Sequence, residues 1–273
     1  MNSAHNSIRD ALYEAPGPKA KKRITIATAI SLVVLAIVIF MIIKQFYITD
    51  QLNPRYWSIF LSFTTWRFLG QGLFGTLKVA LGASIVAFAI AMLMMLGRIS
   101  SNKALSWLST ALIELSRGIP TLLFIYFFFL VSPQLGIKLP TYWKISLPVA
   151  LSASGVVAEV LRSGVNAVPK GQREAALSLG MTNGKVFVKI VFPQAFRYVI
   201  PALISELVIV LKDTTFAYVV SYADMMQNAR VLISNYDALL AVYLVVAVIY
   251  ILINYLLHKI SVSIAGHRKT VTA

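Results

Sequence analysis

Few ionisable side chains interrupt the apolar stretches of this sequence, and those few are where chemistry can reside. Glu114 and Arg117 stand three apart, and Glu159 and Arg162 repeat the spacing. On a helix, residues three apart share a face, so each pair can neutralise itself, or the two helices can pair across. Charges inside a bilayer are costly and are kept for pairing, gating or cargo. Pairing is the default reading of these four, with substrate contact or gating as the alternative. Lys212, Asp213, Thr214 and Thr215 form a third group. A cation, an anion and two hydroxyls can face an α-carboxylate and an α-ammonium group, or the two charges can merely neutralise each other. Glu206, one to two turns earlier, is a further candidate for the same path. Lys78 lies near a helix end, where its stem lets the charge snorkel to water.

Other chemistry is excluded. "GQGLFG" (Gly70 to Gly75) spells the dinucleotide fingerprint, but it has no preceding strand and no acidic residue about 20 positions on. Small residues at a helix entrance are the simpler account. "GMTNGK" (Gly180 to Lys185) resembles a phosphate loop but has three intervening residues instead of four, and Val186 where a hydroxyl should bind Mg²⁺. The chain therefore has no ATP site of its own. His5, His258 and His267 have no partners at metal-ligand spacing. With no cysteine, thiol catalysis, Cys-ligated zinc and disulfides are out. No Ser–His–carboxylate arrangement stands in a plausible context. No bound cofactor or metal is expected, and no enzyme activity.

The elements that must position these residues follow from composition. Of 273 residues, 58% are hydrophobic and 13% charged, and the mean hydropathy is +0.77. A soluble core of this length cannot hide so much apolar surface, so the solvent is a bilayer. The net charge of +15 then reflects basic loops facing the cytoplasm, not nucleic-acid binding. Apolar runs predict six spanning helices at 24–43, 72–97, 105–131, 146–166, 198–220 and 238–260. The first follows Lys19, Lys21, Lys22 and Arg23. Its core is too long for a signal peptide and no small-residue cleavage site follows, so it reads as a retained anchor.

Lysine and arginine fix the orientation. With the N-terminus inside, sixteen fall in inner segments, six in outer ones, and Lys78, Arg117 and Lys212 within spans. Both termini are expected in the cytoplasm. The predicted organisation is a cytoplasmic tail (1–23), an anchor helix with an extracytoplasmic linker (24–71), a transmembrane domain (72–260) and a second tail (261–273). The linker's Tyr56, Trp57, Phe60, Phe63 and Trp66 suit the headgroup layer.

One inner loop, about 167–195, is unlike the rest. Pro169 suits a helix start, "REAALSL" is rich in helix formers, Gly180 can end that helix in the left-handed conformation, and "TNG" supplies a turn. "KVFVKIVF" then predicts a second short helix before Pro193. Six basic residues and one acidic residue between Arg162 and Arg197 make a cationic knob. Val186, Phe187, Val188 and Ile190 are expected at its surface, and such patches mark partner surfaces; contact with anionic lipid is the alternative.

Within this loop Glu174-Ala175-Ala176, Gly180, Ile190 and Phe192-Pro193 follow the spacing E-A-A, three residues, G, nine residues, I, one residue, L-P. The chain thereby resembles the permeases of ATP-binding-cassette (ABC) importers, with Phe192 replacing leucine. "GTLKVALGASIVAFAIAMLMMLGRIS", "IELSRGIPTLLFIYFFF", "AEVLRSGVNAVPKGQREAALSLGM" and "VLKDTTFAYVVSYADM" extend the likeness to the polar-amino-acid uptake family over about 72–260. The resemblance implies an all-α integral membrane protein with about six transmembrane helices, a type I importer core of five plus an N-terminal anchor helix. It implies a prokaryotic cell membrane and a translocation pathway formed with a second permease subunit, identical or homologous. It also implies an extracytoplasmic binding protein that delivers a polar or charged amino acid. Cytoplasmic ATPase subunits, holding the ATP and Mg²⁺, would dock on Glu174, Ala175, Ala176, Gly180, Ile190 and Pro193. The competing readings are a transporter driven by an ion gradient, which would show paired repeats with broken helices, and a non-transporting membrane scaffold.

Overall fold

The computed structural model describes residues 17–266. Residues 1–16 and 267–273, and with them His5, His267 and most of both predicted tails, lie outside the described residues. Among the described residues all regular structure is helical. Five helices are long and apolar enough to cross a membrane, six spans if one bent pair counts as a single crossing. The chain is an all-α integral membrane protein, as its composition required.

It divides into two compact units, Met1–Arg55 and Tyr56–Ala273. The first contains α1, Pro18–Ile48. Its 31 residues span about 46 Å at 1.5 Å per residue, more than the roughly 30 Å of a hydrocarbon core. No residue of α1 is buried, and its apolar side chains run all round it, as lipid requires. Asp50, at φ +57°, closes the chain after it and accepts from the Asn53 side-chain amide.

The chain passes into the second unit through short turns at Pro54–Trp57 and Ser58–Leu61. Then come α2 (Phe63–Arg98), α3 (Lys103–Gly118), α4 (Thr121–Gln134), α5 (Thr141–Ala167), α6 (Lys170–Ser178), α7 (Phe192–Asp213), α8 (Met225–Tyr236) and α9 (Leu239–Gly266). Helix α5 lies in the middle of a bundle with α2 and α7. Val79, Ala83 and Ala87 of α2 meet Val149, Ala150 and Ala153 of α5 and Val210 and Leu211 of α7. In lipid no hydrophobic force draws helices together, so close approach of small residues must hold them. Gly155 shows this: a Cβ there would sit 2.8 Å from the Ile113 carbonyl oxygen of α3. Gly164 lies as close to the Ala195 carbonyl of α7.

Four expectations are corrected. The predicted start at 72 falls inside α2, which begins at Phe63. The helix entrance expected at Gly70 to Gly75 lies inside α2, and Gly72 and Gly75 are helical positions where a side chain would collide with the backbone at 223–224. The linker is correspondingly shorter. The predicted third span, 105–131, is not straight: α3 and α4 meet at 96°. Pro120 lacks an N–H and pushes Ile119 out of the helical region, and Ile119 is extended at ψ 124°. Continuous hydropathy concealed that break. The C-terminal third of the fifth span, Thr214–Val220, tightens to a 3₁₀-helix ending at left-handed Ser221. The short helix expected before Pro193 is not separate. A turn at Asn183–Val186 runs through a wide π turn, Phe187–Val191, directly into α7. Pro193 sits in the first turn of α7, where no N–H is needed.

Candidate functional site

The element between α5 and α7 is built as its turn residues dictate. Helix α6 ends in a Schellman motif: Met181 N–H donates to the Ala176 carbonyl at 3.2 Å and Gly180 N–H to Leu177 at 2.9 Å. That closure requires φ > 0, and Gly180 supplies +78°. Arg173 donates to the Asn183 side-chain oxygen at 3.1 Å across the elbow. Beneath, Ala176 packs in a small core with Val168, Val186, Val191 and Ala195, flanked by Met181, Phe187 and Ile190. Ala176 therefore anchors the knob, while Glu174, Ala175, Gly180 and Pro193 are exposed. The expected apolar patch is corrected. Val186 is 1% exposed, Phe187 and Ile190 are half-buried, and of the four only Val188 is open, at 64%. The exposed apolar residues around it are Leu177 and Leu179, the latter 84% exposed.

The charge pairs resolve differently from one another. Glu114 and Arg117 pair at 3.6 Å on α3, both largely exposed. Glu159 takes Arg162 at 2.9 Å along α5 and also pairs with Arg98, at the end of α2. One carboxylate thus holds two guanidinium groups and ties α2 to α5. The two Glu/Arg pairs do not cross-pair. Arg98 was assigned to a loop by sequence, because nothing local shows that it reaches a residue 61 positions away.

At the far end of α7, Asp213 does not pair with Lys212. Its Oδ2 accepts from Thr121 Oγ1 at 2.8 Å, and Thr121 Oγ1 lies 2.8 Å from Ser152 Oγ. A hydroxyl has one proton, so with Thr121 donating to Asp213, Ser152 donates to Thr121. The α3–α4 break makes this possible by placing Thr121 at the head of α4. Thr121 and Ser152 were missed by sequence reading, which ranked charges above hydroxyls. Lys212 is exposed. Thr214 is fully buried and donates to the Leu211 carbonyl at 2.7 Å; Thr215 donates to the Lys212 carbonyl at 2.6 Å. Thr214 thus faces the packed interior, not a ligand.

Beyond the 3₁₀ segment, Asp224 is another residue absent from the expectations. It caps α8, with Oδ1 accepting from Gln227 N–H at 2.8 Å. The residue is fully buried and Oδ2 has no partner. Burial pushes its carboxyl up to about 6, only partly offset by its backbone hydrogen bonds.

The family model "Binding-protein-dependent transport system inner membrane component" matches residues 87–262. The chain belongs to this family. The glutamate transport system permease protein GluD of Corynebacterium glutamicum is 35% identical over 209 residues, 75% of this chain and 77% of that protein. The arginine transport system permease protein ArtQ of Bacillus subtilis is 31% identical over 163 residues, 59% and 74% of the two chains. A crystal structure of an amino acid ABC transporter with histidines superposes with a TM-score of 0.67 at 29% identity, covering 71% of this chain and 91% of that one. The expected kinship with amino-acid ABC importer permeases holds, and members of this family are membrane subunits rather than catalysts.

Proposed function

We propose that this chain is the membrane-spanning subunit of an ATP-driven importer for a polar or charged amino acid. It forms the translocation pathway with a second permease subunit in a prokaryotic cell membrane, with both termini cytoplasmic. A binding protein delivers cargo from outside. Cytoplasmic ATPase subunits, which carry the ATP and Mg²⁺, dock on the 174–193 element. The observation that carries this reading is the build of that element within the matched region. It is a short exposed helix, locked by Gly180 and anchored by Ala176, on a connection between two spanning helices. A rigid piece so placed passes rigid-body motion of a docked partner to α5 and α7 together. Glu174, Ala175, Gly180 and Leu179 present the docking face, and Ile190 and Pro193 join it to α7. Asp213 and Lys212, at the other end of α7, are the groups offered to cargo.

Glu174→Lys reverses charge on the docking face, and Gly180→Pro destroys the left-handed closure. In the reconstituted transporter both are expected to uncouple ATP hydrolysis from uptake, while the chain still inserts and folds. Normal ATPase association and normal uptake in both variants would remove the coupling role.

A further inference from the structure

A cavity of about 280 Å³ lies between α2 and α7, with Val157 of α5 in its wall. Its wall is apolar, with Leu81 and Phe88 of α2, Val157 of α5, and Leu203 and Leu207 of α7. Two polar groups break that wall. Glu206 is only 7% exposed and has neither a side-chain hydrogen bond nor an ion pair among the described residues. Ser84 also lines the cavity, and its buried hydroxyl has no partner. A carboxylate removed from water costs several kcal/mol unless a cation meets it, and this one meets none among the described residues. Glu159 marks the contrast, since it lies in the same bundle and holds two guanidinium groups.

We propose that this cavity receives the cationic end of a basic amino acid, with Glu206 as its counter-ion. The inference deepens the importer reading and rests on it. The apolar wall suits the methylene stem of such a side chain, which prefers apolar surface below its charged head. Ser84 Oγ can accept a further N–H from the head group. Asp213 lies seven residues along from Glu206, on the same face of α7 and about 10 Å away along the axis. Two carboxylates so spaced suit a ligand with positive charges at both ends, an α-ammonium and a side-chain cation. An acidic amino acid would bring its side-chain carboxylate against Glu206 and be repelled. The volume is just below that of ordinary small-molecule pockets, about 300 Å³ and upward, and so fits a side chain rather than a cofactor.

The test uses the full chain with its ATPase subunits in lipid nanodiscs, without binding protein, titrated calorimetrically with L-arginine, L-lysine and L-glutamate. The basic amino acids are expected to bind at least tenfold more tightly than glutamate. Glu206→Gln is expected to weaken arginine binding by about tenfold to a hundredfold, the usual cost of losing a charged partner. Leu203→Trp fills the cavity but keeps the carboxylate, and is expected to weaken binding to a similar degree. Equal affinity for glutamate and arginine, or unchanged arginine affinity in Glu206→Gln, overturns the proposal. If Glu206→Gln fails to assemble, Leu203→Trp still decides, and unchanged arginine affinity there overturns it as well. ATP-driven uptake of an acidic amino acid without binding of basic ones would sink this inference and leave the importer reading standing. Arginine binding without ATP-driven uptake of any amino acid would sink the importer reading instead.

Discussion

The two ends of the α5–α7 bundle treat charge in opposite ways. Toward α6, Glu159 is clasped by Arg98 and Arg162. Along the other half of α7, among the described residues, Asp213 has only a hydroxyl for a side-chain partner, Glu206 has none, and Lys212 stands exposed. Both ends consist of ionisable groups on spanning helices, so the cost of removing charge from water applies to both. At the clasp that cost is met within the chain, and the group can hold α2 to α5 whatever else is bound. At the open end no cation among the described residues meets it. Pairing within the fold therefore separates charges that hold the structure from charges without an ionic partner among the described residues. Neither sequence spacing nor hydropathy makes that distinction.

The largest expected effect comes from breaking the clasp. Glu159→Gln leaves two guanidinium groups, Arg98 about four-fifths and Arg162 about two-thirds buried, facing one neutral amide. Breaking a buried pair costs about 3–5 kcal/mol, and the residual exposure of about a fifth places this site at the lower end, about 3 kcal/mol. Thermal unfolding of the detergent-solubilised protein should fall markedly. Arg98→Gln should destabilise by less, because Arg162 still covers the carboxylate. Equal stability of Glu159→Gln and the native protein would show that the clasp does not hold the bundle.

Next in size is Asp224, which resembles the open end in having an oxygen without a partner but lies outside the spanning helices. Its folded-state value, about 6, is above the usual carboxylate value of 3.8. The folded protein therefore binds the proton more tightly than the unfolded chain does. Between those two values stability rises as pH falls, and above pH 6 the full cost of the buried charge is present. A shift of this size corresponds to about 3 kcal/mol at most. Native protein is expected to melt at a higher temperature at pH 5 than at pH 8. Asp224→Asn keeps the cap and removes the charge, so its melting temperature should be higher at pH 8 and should change less with pH. A native profile that rises toward pH 8 would exclude Asp224 as the group responsible.

Much of this was legible in the sequence because much of it is local or compositional. Six apolar runs announce six crossings, and Pro169 and Gly180 announce α6 and its closure. The spacing from Glu174 to Pro193 announces the family. What was not legible depends on distant partners. Glu159 and Arg162 are visible as a pair at three residues' spacing, but Arg98 joins them only through the packing of α2 on α5. Thr121 reaches Asp213 across 92 positions because Pro120 bends the third crossing, and an apolar window averages over one proline. Gly70 to Gly75 read as a helix entrance because the neighbours of Gly72 and Gly75 at 223–224 are unseen. Val186 reads as an exposed anchor until Ala176 and Ala195 fold over it. Long-range packing of small residues leaves no periodic trace, whereas caps and turns do.

The smallest change in stability is expected at Asp213, and there the contrast between the two ends is sharpest. In Asp213→Asn the new amide oxygen still accepts from Thr121, so the chain from Ser152 through Thr121 is preserved. The net worth of the altered hydrogen bond is about 1 kcal/mol or less. If the open end serves cargo, this variant should fold and couple like the native protein yet lose uptake or change its selectivity among amino acids in proteoliposomes. The clasp variant should show the reverse ordering, a large loss of stability with selectivity retained in whatever fraction remains folded. If uptake and selectivity are both unchanged in Asp213→Asn, then Asp213 with Thr121 and Ser152 is a hydrogen-bonded brace between α4, α5 and α7. The open end of α7 would then hold structure as the clasp does, through hydroxyls instead of guanidinium groups.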